Sequence, residues 1–205
     1  MIAATTTVAE VEIPISERGP SPRKVIVAYG FWLFLLSDII VFSALFAAYA
    51  VLSGRAAGGP TGVQLFHRDN VLVETCCLLM SSFTCAMMSL AIEVRRRGLM
   101  VAGALLTLAL GAAFLWLELS EFAGMVARGA GPDRSAFLSA FFALVGMHGL
   151  HVSIGLCWLV SMVAQVFTLG WRPLVVGRLA CFGLFWHALD IVWIGVFTIV
   201  YLGAR

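Results

Sequence analysis

Five long apolar runs dominate this sequence and limit what it can fold into. A helix needs about 20 residues to cross the hydrocarbon core of a bilayer, and each run is at least that long. Only 12% of the 205 residues are charged and 61% are hydrophobic, so the chain lacks the polar surface of a soluble domain. The sequence therefore predicts an all-α integral membrane protein with five transmembrane helices in a bundle. The expected spans are residues 25–53, 71–94, 99–126, 135–169 and 178–202.

The segments outside these runs are short. Residues 1–24 are mixed polar, with three acids and three prolines, and do not have the pattern of a signal peptide. We expect them to form a flexible cytoplasmic tail before a five-helix transmembrane domain over residues 25–205. The longest loop, about residues 54–70, leaves no room for a nucleotide-binding or haem-carrying module. A net charge of +2 gives no indication of nucleic-acid binding.

The basic residues indicate an orientation in the membrane. Lys and Arg near the spans are more frequent on the cytoplasmic side of membrane proteins. The side that holds the tail carries eight of them and the opposite side carries five, and the Arg95–Arg97 cluster lies directly between two spans. We therefore predict a cytoplasmic N-terminus and a periplasmic C-terminus.

Small side chains recur along the second span. Cys77, Ser81, Cys85 and Ser89 follow one another at intervals of four residues. Such a stripe lets a second helix approach closely, which is typical of helix packing in membranes. The five cysteines all lie within apolar spans, without the spacing of a disulfide framework, so we expect them to act as small packing residues.

Ionisable residues lie within the spans, where each costs roughly 2.5–3.5 kcal/mol on insertion scales. From the helical rise, four acids are expected in the outer half of the membrane and three histidines in the inner half. One further acid, Asp190, lies one turn from His187. These eight candidate site residues are Asp38, Glu74, Glu118, Glu121, His148, His151, His187 and Asp190.

Several roles are open for these residues. Facing histidines such as His148 and His187 are the geometry of a haem clamp, three histidines could hold copper or zinc, and a chain of such groups could relay protons. Only one cross-helix histidine pair is available, which favours contacts between helices or with lipid head groups. We expect His187 to pair with Asp190, and His148 or His151 to bond a neighbouring helix or a lipid phosphate. Asp38 is expected near the outer acids or lipid.

Four stretches resemble subunit III of the haem–copper terminal oxidases. The resemblance extends from about Tyr29 to Leu202, and the HGLHV and WHxxDxVW patterns on separate spans are its most specific part. Five spans match the short form of the family, and the third and fourth of the stretches given below are most similar in sequence to the bo-type ubiquinol oxidases of bacteria. The stretches are YGFWLFLLSDIIVFSALFAAYAVL, LVETCCLLMSS, DRSAFLSAFFALVGMHGLHVSIG and LFWHALDIVWIGVFTIVYL.

The resemblance implies an accessory role in the bacterial inner membrane. It implies a complex that oxidises quinol, reduces oxygen to water and pumps protons, with the haems and copper in subunit I. This chain would then have no catalytic, cofactor-binding or metal-binding residue. It would pack on subunit I, lie near subunits II and IV, bind phospholipid and stabilise the complex. Asp38 takes the position of the family's intramembrane carboxylate, Glu121 that of the acid in its E-F/E-Y motif, and the histidines and Asp190 match directly.

Three other functions are compatible with parts of the sequence. The chain could be subunit III of a bacterial cytochrome c oxidase, which has a related short form. It could be a free-standing haem-binding electron carrier built on His148 and His187. It could also be a small transporter that uses Asp38 and Glu121 as proton carriers. The lack of an internal repeat speaks against the transporter.

Overall fold

Five long helices make up the part of the chain that the structure describes. The computed structural model describes residues 23–54 and 68–203, with side chains from residues 25 and 70 onward in these two segments. Each helix is long and apolar enough to cross a membrane, so the prediction of an all-helical fold with five potential spans is confirmed. The helices are α1 (Arg23–Leu52), α2 (Arg68–Glu93), α3 (Arg97–Ala127), α4 (Ala136–Leu169) and α5 (Pro173–Val196). Residues 1–22, most of the predicted tail, lie outside the described segments.

The helix ends follow local sequence signals. Ser135 caps α4, since its hydroxyl accepts a hydrogen bond from the Leu138 N–H at 3.2 Å. Gly170 ends α4 with a φ of 69°, a conformation that glycine adopts without strain. Pro173 occupies the first turn of α5, where its missing N–H is not needed. This helix therefore begins five residues earlier than the predicted residue 178.

The last helix continues beyond Val196. Residues Phe197–Leu202 form a π-helical segment that extends α5 without a break, so the whole helical run covers 30 residues, Pro173–Leu202. At about 1.5 Å per residue such a run is about 45 Å long, more than the hydrocarbon core requires.

The largest helix–helix contact joins α2 and α3. A Cβ atom at Gly103 would lie 3.0 Å from Met88 Cβ and 3.1 Å from Met88 Cα, so a larger residue would have to push the two backbones apart by a few tenths of an ångström. One turn further, the hydroxyls of Thr84 and Thr107 bond to each other at 2.8 Å. Small and hydroxyl-bearing residues thus bring the two helices together. This is common in membranes, where the hydrophobic effect does not drive helices to associate.

Helix α5 has the largest buried fraction of the five spans, and α1 has the smallest. The indole of Trp186 on α5 donates to Ser81 Oγ on α2 at 3.0 Å. Its ring also faces two glycines: a Cβ at Gly111 on α3 would lie 3.0 Å from the ring, and a Cβ at Gly155 on α4 would lie 2.9 Å away. One side chain therefore joins four helices.

We predict that Gly155→Ala destabilises the protein by about 1–3 kcal/mol, because the added methyl group meets a rigid, enclosed indole. For a chain of this size the midpoint of thermal unfolding in detergent should fall by at least about 2 °C. Gly30→Ala is the matched control, since nothing lies within 4 Å of a Cβ there and alanine favours a helix. Equal midpoints for the two variants would contradict the packing described for Trp186.

Candidate functional site

The eight candidate residues do not converge on one site. The structure divides them into three contact groups and one isolated histidine. The groups are Glu74 with Glu118 and Glu121, Asp38 with His151, and His187 with Asp190, while His148 stands apart.

Three acids from two helices lie together. Glu74 on α2 and Glu118 on α3 are almost fully buried, and both interact electrostatically with Glu121, which is partly buried. The hydroxyl of Tyr201, on the π-helical segment, is a hydrogen-bonding partner of Glu121. Gly149 on α4 faces this group, and a Cβ there would lie 2.5 Å from Glu118 Oε1. The cluster is therefore enclosed by α2, α3, α4 and the end of α5.

Asp38 does not join these acids. Its Oδ1 lies 3.7 Å from His151 Nε2, across the contact between α1 and α4. Asp38 was expected near the outer acids or lipid. The structure does not place it beside the acids, because α1 packs mainly on α4 and α5 and not on the helices that carry the glutamates, and the contact with lipid stays a prediction. Counting residues along each span gives the depth of a side chain in the membrane, but it does not show which helices are in contact.

The other nitrogen of His151 fixes its tautomer. Nδ1 lies 2.8 Å from the carbonyl oxygen of Met147, which can only accept a hydrogen bond, so Nδ1 carries a proton. Protonation of Nε2 as well would make the contact with Asp38 an ion pair. Of the two histidines expected to bond a neighbouring helix or a lipid phosphate, His151 approaches Asp38 on α1 at 3.7 Å without forming a hydrogen bond, and the bond itself stays a prediction.

His187 forms the expected contact with Asp190. Its Nδ1 lies 3.9 Å from Asp190 Oδ2 and 2.7 Å from the hydroxyl of Ser82 on α2. The three residue types are those of a hydrolase triad, but a triad uses both ring nitrogens, one for the serine and one for the acid. Here both groups meet the same nitrogen, so the arrangement links helices and does not activate Ser82 as a nucleophile.

His148 is fully buried among aromatic rings. Its ring centroid lies 5.1 Å from that of Trp193, 5.7 Å from that of Phe114 and 6.4 Å from that of Phe42. Neither ring nitrogen has a hydrogen-bond partner among the described residues. The side chain packs as an aromatic residue between α1, α3 and α5.

This geometry does not fit a haem clamp or a three-histidine metal site. His148 is enclosed by rings, His151 faces α1 and His187 faces α2, so they point to different neighbours. Within residues 25–54 and 70–203, no three His, Cys, Asp or Glu side chains are grouped to hold a metal ion. A cavity of about 90 Å³ lies between α1 and α5, but it is too small for a porphyrin and neither His148 nor His187 lines it.

Among the hydroxyl groups of α2 that face α5, Ser81 and Ser89 belong to the stripe recognised in the sequence, whereas sequence reasoning missed Thr75 and Ser82. Thr75 accepts from the Trp193 indole at 3.1 Å, Ser82 bonds His187, and a Cβ at Gly183 would lie 3.3 Å from Ser89 Oγ. These three residues are spaced by seven, the repeat that keeps one helix face against a partner helix. The interval of four residues was recognised in the sequence, whereas this second interval was the signal that could have identified Ser82.

We predict that Glu74→Gln stabilises the protein, because a neutral side chain of the same shape avoids the cost of burying an ionisable carboxyl group, to which the neighbouring carboxyl groups add. A gain of about 1 kcal/mol would raise the midpoint of thermal unfolding in detergent by about 2–4 °C. Glu93→Gln, at an exposed helix end, should change the midpoint little. A lower midpoint for Glu74→Gln than for Glu93→Gln would contradict the prediction.

We also predict that Asp38 and His151 are energetically coupled. A double-mutant cycle with Asp38→Ala and His151→Ala should give a coupling free energy of about 0.5–1.5 kcal/mol, since the two side chains meet across helices and are mostly buried. The measurement is the free energy of unfolding of the four proteins in one detergent. Additive effects would show that the 3.7 Å approach contributes nothing to stability.

Comparison with known proteins agrees with this picture of a helical membrane subunit. Residues 21–204 match the family described as cytochrome c oxidase subunit III. The cytochrome bo(3) ubiquinol oxidase subunit 3 of Pseudomonas aeruginosa is 51% identical over 174 residues, which cover 85% of this chain and 83% of that protein. Its counterpart from Pseudomonas putida is 49% identical, covering 84% of each chain. A quinol oxidase subunit 3 from Bacillus spizizenii is 43% identical over a region that covers 84% of this chain and 85% of that protein. The chain therefore belongs to the cytochrome c oxidase subunit III family.

Proposed function

We propose that this chain is the non-redox subunit III of a bo-type ubiquinol oxidase, a proton-pumping enzyme that oxidises quinol and reduces oxygen to water. The observation that carries the proposal is the high identity to proteins named quinol oxidase subunit 3. These matches cover more than four-fifths of the chain. The enzyme activity belongs to the whole complex, and this subunit contributes no catalytic residue.

The contacts of the polar side chains support an accessory, structural role for this subunit. The candidate polar groups serve contacts between helices: Asp38 meets His151 on α4, His187 meets Ser82 on α2, and the glutamates are enclosed between α2, α3 and α4. Their separation argues against a redox centre in this chain. The haems and copper are accordingly assigned to subunit I.

The partners and the position in the membrane follow from the same proposal. The chain packs on subunit I, lies in one complex with subunits II and IV, and binds phospholipid on its apolar surface. It resides in the bacterial inner membrane as a multi-pass protein. The count of Lys and Arg beside the spans supports a cytoplasmic N-terminus and a periplasmic C-terminus.

The competing functions have less support. The family description names cytochrome c oxidase, but the relatives compared above are named for ubiquinol or quinol. A haem-binding carrier would need two facing histidines, whereas His148 lies among aromatic rings and His187 is bonded to α2. A transporter based on Asp38 and Glu121 would need them on one path, yet they occupy different groups.

We predict that purification through an affinity tag on this chain yields an intact oxidase. The purified complex should show haem absorption and should oxidise ubiquinol in preference to reduced cytochrome c. The chain purified alone should be colourless, since its histidines do not face one another. Oxidation of cytochrome c with no quinol activity would overturn the assignment of the donor. Haem absorption by the isolated chain would overturn the non-redox role.

A further inference from the structure

His187 lies at the middle of a membrane span and is only partly covered. It comes fourteen residues after Pro173 and fifteen before Leu202, in a continuous helical run of 30 residues. It is therefore about 21 Å from either end of the helix. Its side chain is 41% exposed, whereas that of its partner Asp190 is 9% exposed. Polar side chains at such a depth usually face the interior of a bundle or a polar partner.

One edge of the imidazole has no partner among the residues that the structure describes. Nδ1 is used by Ser82 and Asp190, and the described residues provide no hydrogen bond to Nε2. Acyl chains at this depth cannot donate or accept a hydrogen bond, so they leave the imidazole edge unsatisfied. A side chain from another protein could supply the missing bond.

The surroundings of His187 form an apolar strip on α5. Leu184, Ile191 and Ile194 are three, four and seven residues from His187 and are exposed, so the four residues share one helix face. This strip lies between α1 and α2, which both pack on α5. The cavity of about 90 Å³ between α1 and α5 is lined by Ile191, at the α1 side of the strip. The surface therefore combines one polar group, His187, with an apolar strip and a cavity large enough for a side chain.

We propose that this strip, formed by Leu184, His187, Ile191 and Ile194, is the docking surface for a transmembrane helix of another oxidase subunit. That helix carries a hydrogen-bonding side chain at mid-membrane, which pairs with His187 Nε2, and an apolar side chain that enters the cavity beside Ile191. The inference rests on the proposed function, since it requires an oxidase assembly. A lipid tail would fill the strip but would leave His187 unsatisfied, which is why the occupant is a protein helix.

Photochemical cross-linking in the assembled oxidase tests the location. A photoreactive phenylalanine analogue replaces Ile191, which is 75% exposed, and in a control it replaces Trp116 on α3, which is 74% exposed. We expect irradiated membranes to give a cross-link to another oxidase subunit from position 191, in clearly higher yield than from position 116. Adducts with lipid alone, adducts with a second copy of this chain, or equal yields at both positions would overturn the proposal.

Substitution of His187 tests the hydrogen bond. His187→Asn keeps a polar group and His187→Leu removes it, while Ser82→Ala breaks only the internal bond. After detergent washing of the purified complex, His187→Leu should retain about threefold less of this chain, the factor that one intramembrane hydrogen bond is typically worth. His187→Asn and Ser82→Ala should retain it as the unmodified chain does. Full retention of His187→Leu would refute the bond.

The two levels of inference fail in different ways. If the chain co-purifies with an active oxidase but position 191 gives no cross-link to a subunit, only the docking surface is wrong. If the chain does not co-purify with any oxidase, the proposed function itself is wrong.

Discussion

The packing of Trp186 is the contact on which the rest of the structure depends. Its indole donates to Ser81 on α2 and lies against the positions of Gly111 on α3 and Gly155 on α4. Because lipid surrounds the bundle, the helices gain little from burying apolar surface, and close packing with interhelical hydrogen bonds must hold them together. A large ring enclosed by two glycines provides contact area, and its N–H provides the bond. Helix α5 thereby becomes the element against which the others are arranged.

The same constraint explains how the protein uses its intramembrane polar groups. Each costs free energy in hydrocarbon and is tolerated only where the bundle encloses or pairs it. The structure encloses the glutamates, places Asp38 near His151 and bonds one edge of His187 to Ser82, which leaves the other edge of His187 exposed. The eight groups therefore lie in separate contacts and do not form one site.

Much of the architecture could be predicted from the sequence because length and hydropathy alone identify membrane-spanning helices. The positions of Glu74, Glu118 and Glu121 along their helices indicated a common depth, and the structure brings them together. For Asp38 the same reasoning gave the wrong neighbours, because depth does not say which helices touch. The seven-residue interval from Thr75 to Ser82 to Ser89 was a second signal for the α2–α5 contact, beside the recognised stripe that includes Ser81 and Ser89.

The sequence by itself determined the number of spans, the class of membrane protein and the family resemblance, since hydropathy and local motifs are properties of single segments. Only the tertiary structure decided which helices are neighbours, and therefore that His148 is enclosed by aromatic rings while His151 reaches Asp38. The physical reason is that helix contacts depend on the rotation and order of helices in the bundle, which arise from the packing of side chains such as Trp186 against glycines on other helices.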